Sequence, residues 1–319
     1  MAETAPFTET PGAALPEGGR VEWFTGAGGA RLRAAIFPAK GQARGSVILS
    51  GGRTEAIEKY VEVIEDLRTR GFVVLTHDWR GQGLSHRELP DRLRGHAEGW
   101  SAFLGDFDAL LKTYGDELPK PWLAIGHSMG GCLTLLALAH GQAKHFAGAV
   151  LSAPMLGVRV GRYPKMVRAL VAFNRLTGRG GGYVLNDPGK PFDDTFEDNV
   201  LTHDRVRFAR GRAVIAANRD LALGGPTWSW LAFALKSADF FARPENLRQV
   251  DIPVVICSAE QEKLVDNEAQ VQAAASLPKG RLVSVKGALH EILMETDDKR
   301  DVFWAEFDAL ADQVAPRPA

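Results

Sequence analysis

The stretch LAIGHSMGGCLTLLALA, residues 123–139, decides the fold. Pro121 to Ile125 has the length and apolar character of a buried strand, and Cys132 to Ala139 those of a buried helix. Between them stands Gly126-His127-Ser128-Met129-Gly130. A strand that turns straight into a helix strains the backbone at the corner, and flanking glycines remove the Cβ atoms that would strike strand or helix. This is the G-x-S-x-G corner that lifts a serine hydroxyl above the end of a sheet. The pentapeptide also fits a turn serine with no chemistry, so the reading depends on whether the chain supplies a base, an acid and an oxyanion site.

Outward from this corner, strand-like and helix-like segments alternate. GSVILS (45–50) and FVVLTHD (72–78) precede it; FAGAVLS (146–152), IPVVICSA (252–259) and RLVSVKG (281–287) follow. Helical spacing of apolar residues marks 55–70, 96–114, 267–276 and 290–314. VEWF and RLRAAIFPA, joined by TGAGGA, carry a hairpin signal. Alternating βα units predict an α/β fold with a mainly parallel central sheet flanked by helices. From 155 to 248 the rhythm gives way to helices with Gly/Pro-rich connections, a helical cap inserted on the side where such sheets bind ligands. The expected division is a poorly ordered lead-in at 1–19, a core of 20–154 and 249–319, and a cap of 155–248.

The chain has 319 residues, and 38 Lys+Arg against 39 Asp+Glu leave no basic field that would favour a nucleic-acid partner. Cys132 and Cys257 both lie in apolar segments without metal-ligand spacing, so two unpaired thiols, no metal and no cofactor are expected. The first residues hold no charged region followed by an apolar one, and no apolar run approaches a membrane span. A cytoplasmic location is expected, with peripheral contact at an anionic inner membrane face left open.

A serine nucleophile needs a histidine base held by a carboxylate, here in the chain order Ser, acid, His. Of the histidines after Ser128, His140 ends the helix that begins at the serine, His145 sits in the next loop and His203 lies in the insertion. His290 comes directly after the last strand, where site loops collect. The acid belongs after strand 252–259, in SAEQEKLVDNEAQ. Asp266 before Asn267 reads as a helix N-cap, and Glu260 sits too close to the strand end; Glu262 is the preferred acid, with Asp266 the alternative. One oxyanion donor is the Met129 N–H, and the other an N–H at Gly52 or Arg53 in SGGRTE.

With these pieces placed, the chain resembles the α/β-hydrolase superfamily, and within it the lysophospholipase L2 and monoacylglycerol lipase group of serine aminopeptidase-like hydrolases. The carriers are GGRTEAIEKYVEVIEDLRTRGFVVLTHDWRGQGLS, GHSMGG, GGPTWSWL, EKLVDN and KGALHEIL. DWRGQGLS is similar to the group's D-x-R-G-x-G-x-S loop. The resemblance implies Ser128 as nucleophile, His290 as base, Met129 and Arg53 as oxyanion donors and Glu262 as acid. Glutamate in place of the usual aspartate, and Gly51 in place of the commoner histidine, depart from the pattern.

The insertion resembles a lid. Trp228, Trp230, Leu231 and Phe233 supply apolar surface for an acyl pocket or for lid packing. Between Leu156 and Gly182 six basic residues (Arg159, Arg162, Lys165, Arg168, Arg175, Arg179) occur without an acid. On one helix Lys165, Arg168 and Arg175 face away from Met166, Leu170 and Phe173. They could meet an anionic membrane or pair with Asp193, Asp194, Glu197 and Asp198. The expectation is a serine ester hydrolase working through an acyl-enzyme on lysophospholipids or monoacylglycerols, its partner a small-molecule or lipid ester. The alternatives are a small-ester carboxylesterase, an aminopeptidase using the lid acids, or a non-catalytic binding protein on the same fold.

Overall fold

The structure is a computed structural model that describes residues 3–317; the extreme ends of the expected lead-in and core, 1–2 and 318–319, lie outside the described residues. Nine strands form one sheet in the order β1-β2-β3-β5-β4-β6-β7-β8-β9. They are β1 (Glu3–Thr4), β2 (Arg20–Thr25), β3 (Arg31–Phe37), β4 (Gly45–Ser50), β5 (Phe72–His77), β6 (Trp122–His127), β7 (Phe146–Ser152), β8 (Val254–Ala259) and β9 (Gly280–Val285). β1, β2 and β3 pair antiparallel, and β3 pairs antiparallel with β5, whereas β4 through β9 run parallel to one another. Every residue of β4, β6 and β8 is buried, which is why these strands read as unbroken apolar runs: a parallel sheet is covered on both faces.

Five helices do the covering. On one face α2 (Ser101–Tyr114), α3 (Met129–Ala139) and α7 (Asn267–Ser276) bury Phe103, Phe107, Leu133 and Ala273 against Ile48, Ala124 and Ile256. On the other, α1 (Val61–Thr69) and α8 (Asp297–Val314) bury Ile64, Leu67, Phe303 and Phe307 against Val47, Ile125 and Val255. Cys132 and Cys257 are unpaired thiols on opposite faces, and burial pushes each up to about 12. Between β7 and β8 the chain forms α4 (Pro164–Leu176), α5 (Arg205–Ala217) and α6 (Trp228–Phe241). None of the described helices is long and apolar enough to cross a membrane.

Three segments depart from the expected reading. Residues 3–19, expected to be a poorly ordered lead-in, lie against the core: β1 pairs with β2, and Ala5 and Ala13 are buried. The buried Arg33 reaches the Pro6 carbonyl at 2.9 Å, which ties the segment down. The helix expected from His96 begins at Ser101, because Gly95 pairs with the cap: its N–H donates to Gly225 O and its carbonyl accepts from Thr227 N. The helix expected from His290 begins at Asp297 after a short helical turn, since Glu291 N–H donates to Leu201 O in the cap.

Candidate active site

Ser128 sits at the corner between β6 and α3 with φ 50° and ψ −117°, a positive-φ conformation that a serine holds only when its surroundings impose it. The glycines around it explain how the corner closes. A Cβ on Gly130 would lie 2.3 Å from the Gly51 and Ser50 carbonyls, and one on Gly126 would lie 2.7 Å from Gly131 Cα. Ser128 is followed by the first turn of α3, so the Met129 N–H is one of the unpaired donors at a helix start.

His290 reaches the corner from the loop after β9. Its Nε2 lies 2.9 Å from Ser128 Oγ, and its Nδ1 lies 2.7 Å from Glu262 Oε2. Glu262 stands in the loop after β8, where its other oxygen accepts the N–H groups of Lys263, Leu264 and Val265 at 2.9, 2.7 and 3.3 Å. Burial works against its charge. The hydrogen bond and charge of His290, together with the Leu264 and Val265 N–H groups, nevertheless hold the carboxyl below the usual glutamate range. All three residues are buried. The rival acids point elsewhere: Asp266 caps α7 through Glu268 N at 3.0 Å, and Glu260 accepts Gly287 N at 2.8 Å. His203 pairs with Glu295 and His140 with the Leu136 carbonyl.

The loop after β4 lies opposite. A Cβ on Gly52 would lie 2.9 Å from His127 Cδ2 and 3.1 Å from Ser128 Cβ, so glycine lets the loop come this close without crowding the serine. The Gly52 N–H donates to Glu55 Oε2. Of the two donors weighed for the oxyanion, the Gly52 N–H is therefore already engaged. Sequence reading missed what braces this loop. Gln82, from DWRGQGLS, donates to Gly52 O and accepts from Thr54 N, both at 2.8 Å, and Trp79 Nε1 donates to Gly51 O at 3.1 Å. The buried Glu55 accepts from Gly52 N, Tyr60 Oη and Lys59 Nζ, and lies 3.7 Å from His127 Nε2. Burial opposes this charge as well, but Lys59 and His127 hold Glu55 down to about 2. Donor atoms of Glu55, His127 and Glu291 lie within 4.8 Å of one another, and the Lys59 ammonium already bridges the two carboxylates at 2.8 and 2.5 Å. A spacing of Glu and Lys four residues apart is common on any helix, so nothing in the sequence set this cluster apart.

Helical periodicity divides the four expected pocket residues. Trp230 borders a cavity of about 10 Å³ together with Met129, Gln82, Gly95 and Leu223. Phe233 packs behind it on Phe103, with ring centroids 5.5 Å apart. Trp228 and Leu231 turn the other way and pack with Val171 of α4. A larger hollow of about 650 Å³ lies between α4 and α6, and Ser128, Glu262 and His290 are not among its walls. The acids expected between 193 and 198 face outward: Glu197 pairs with Arg205, and Asp194 with Arg212. On α4, Arg168 and Arg175 instead pair with Asp239 and Glu98.

A hydroxyl, an imidazole and a carboxylate in one line at a glycine-lined corner of a mainly parallel sheet define an α/β-hydrolase in arrangement as well as in fold. A yeast monoglyceride lipase solved with a substrate analog superposes with a TM-score of 0.73 at 19% identity, covering 97% of this chain and 99% of that one. A carboxyl esterase from Bacillus coagulans superposes with a TM-score of 0.74 at 18% identity, covering 93% and 99%. In sequence, the lysophospholipase L2 of Escherichia coli (strain K12) is 32% identical over 290 residues, 88% of this chain and 83% of that protein. Residues 41–297 match the family model described as serine aminopeptidase, S33, and the chain belongs to that family of hydrolases.

Proposed function

We propose that the chain is a serine ester hydrolase that acts on lysophospholipids or monoacylglycerols through an acyl-enzyme. The observation that carries the reading is the hydrogen-bonded line from Ser128 through His290 to Glu262. Ser128 Oγ attacks the ester carbonyl as His290 Nε2 takes its proton. Glu262, held ionised, keeps Nδ1–H directed at itself and stabilises the imidazolium. The N–H groups of Met129 and Arg53 receive the oxyanion of the tetrahedral intermediate. As that intermediate collapses, the imidazolium returns the proton to the departing glycerol oxygen. Water, deprotonated by His290, then attacks the acyl-serine and releases the fatty acid. The substrate class follows the relatives: a lysophospholipase and a monoglyceride lipase both share this architecture.

The test is Ser128→Ala, assayed on lysophosphatidylcholine, monoacylglycerol and short p-nitrophenyl esters, with fluorophosphonate labelling of the native chain. The expected result is loss of turnover and of label together; turnover retained without Ser128 would sink the mechanism.

A second reading concerns where the enzyme works, at the cytoplasmic face of a membrane. Met166, Phe173 and Leu176 of α4 are 63%, 55% and 88% exposed, with Tyr163 and Leu170 beside them. Arg159, Arg162, Lys165 and Arg179 lie exposed around this apolar face. Apolar side chains ringed by cations suit shallow insertion into an anionic bilayer. The sequence suggested the basic face for this contact; with Arg168 and Arg175 engaged by Asp239 and Glu98, the apolar face is the better candidate.

A further inference from the structure

Residues 224–227, between α5 and α6, are sewn to the loop at 93–95. Gly224 N donates to Leu93 O at 2.7 Å, Gly95 N to Gly225 O at 3.0 Å and Thr227 N to Gly95 O at 2.8 Å. Beneath this seam runs the side chain of Arg53. Its Nη2 donates to Gly224 O, and its guanidinium carbon stands 5.2 Å from the Trp230 ring centroid. Its Nε is buried with no hydrogen-bond partner among the described residues. A Cβ on Gly95 would lie 2.6 Å from Nη2, so glycine there makes the room the guanidinium occupies. Gly95 and Trp230 also wall the small cavity beside Met129, which puts this cation next to the proposed oxyanion site.

Arg53 is half-buried, and Arg87, whose Nε and Nη1 are also buried without a hydrogen-bond partner among the described residues, shares its state. The more deeply buried arginines are ion-paired. Arg33 has Glu58 and Asp78 at 2.7 Å, Arg80 has Asp106 and Glu88, and Arg300 has Glu62 and Asp66. Arg53 forms no ion pair among the described residues, and burial alone draws its guanidinium down to about 10, still a cation at neutral pH. A buried charge without a counter-charge is costly. Its retention beside the site is explained if the counter-charge arrives with the substrate.

We propose that the Arg53 side chain binds the phosphate of a lysophospholipid and so selects phosphate-bearing substrates over neutral monoacylglycerols. The proposal rests on the ester-hydrolase reading above and names the substrate class of the same site. One residue then serves both ends of the glycerol: its backbone N–H faces the ester carbonyl and its side chain faces the phosphate beyond the glycerol carbons. The phosphate takes the place of the Gly224 carbonyl and engages the unused Nε, the paired donor geometry for which guanidinium suits phosphate. Releasing Gly224 also removes one tie of the cap seam, so headgroup binding and opening of the site go together.

The experiment compares wild type, Arg53→Gln and Arg53→Lys on water-soluble hexanoyl-lysophosphatidylcholine, hexanoyl-lysophosphatidate and monohexanoylglycerol, all below their aggregation limits. The expected result is that Arg53→Gln lowers kcat/KM on both phosphate esters by roughly ten- to hundredfold more than on monohexanoylglycerol. Arg53→Lys should recover part of that difference. Equal losses on all three substrates would overturn the proposal and leave Arg53 a latch on Gly224. A second arm needs no variant to fold: glycerophosphate should inhibit wild-type hydrolysis of p-nitrophenyl butyrate competitively, and more strongly than inorganic phosphate does. Inhibition by inorganic phosphate as strong as by glycerophosphate would overturn the headgroup assignment. Absence of turnover by wild type on every ester would instead sink the hydrolase reading on which the proposal stands.

Discussion

At Glu262 and Asp266, four residues apart in one loop, the same acidic chemistry does two jobs. Glu262 accepts from His290 Nδ1 at 2.7 Å, while Asp266 accepts the Glu268 N–H at the start of α7. Glu262→Gln should lower kcat by roughly four orders of magnitude, the loss that follows when an amide fixes the wrong imidazole tautomer. Asp266→Asn should stay within about twofold, since asparagine caps a helix as well as aspartate. A larger loss at Asp266, measured in the same ester assay, would reverse the assignment. The capping role of Asp266 was legible in the sequence, because an N-cap announces itself by the helix that follows; for the acid, the sequence supports only a preference for Glu262. The state of the Gly52 N–H was not legible: its engagement by Glu55 depends on where a side chain folds back, and no spacing rule expresses that.

Among the elements, α3 and α4 mark the two extremes of legibility. Every residue of α3 is buried, so an unbroken apolar run told its whole story. The sequence of α4 shows an apolar and a basic face but not which one turns outward; Val171 packs under the cap while Phe173 and Leu176 face solvent. Arg168 and Arg175 stay exposed but are paired with Asp239 on α6 and with Glu98. Flotation with phosphatidylglycerol vesicles checks the proposed membrane contact. Replacing Phe173 and Leu176 by aspartate should cut vesicle binding at least about tenfold, since each buried apolar side chain of this size contributes about 1.5–3 kcal/mol. Hydrolysis of a dissolved short ester should be unaffected. Unchanged flotation would remove α4 from the membrane reading.

Across the whole molecule, cap and core meet at Glu62 of α1. It accepts from Arg207 of α5 at 2.9 and 2.7 Å, from Arg210 of the same helix, and from Arg300 of α8 at 3.1 Å. Burial opposes the charge, but these arginines outweigh it and hold the carboxyl down from 4.5 to about 2. A folded value below the unfolded one stabilises the native state fully above the unfolded value, and that stabilisation is lost as pH falls toward the folded one. Between pH 4.5 and 2 the native chain should therefore lose about 1–2 kcal/mol through this group, after allowance for solvent screening. Glu62→Gln should flatten the slope of Tm against pH over that window, and an unchanged slope would contradict the tie. The sequence alone determined the parallel sheet, the glycine-flanked serine corner and the helical stretch between β7 and β8, because each is written in contiguous periodicity or in glycine placement. It also named His290 and preferred Glu262, which the fold brings into one hydrogen-bonded line with Ser128. Only the tertiary structure decided that the Gly52 N–H is taken by Glu55, that α4 leaves its apolar side chains exposed, and that Arg53 Nε lies buried without a hydrogen-bond partner among the described residues. Those outcomes depend on partners brought together from distant parts of the chain, and packing selects among such partners by geometry that local sequence does not carry.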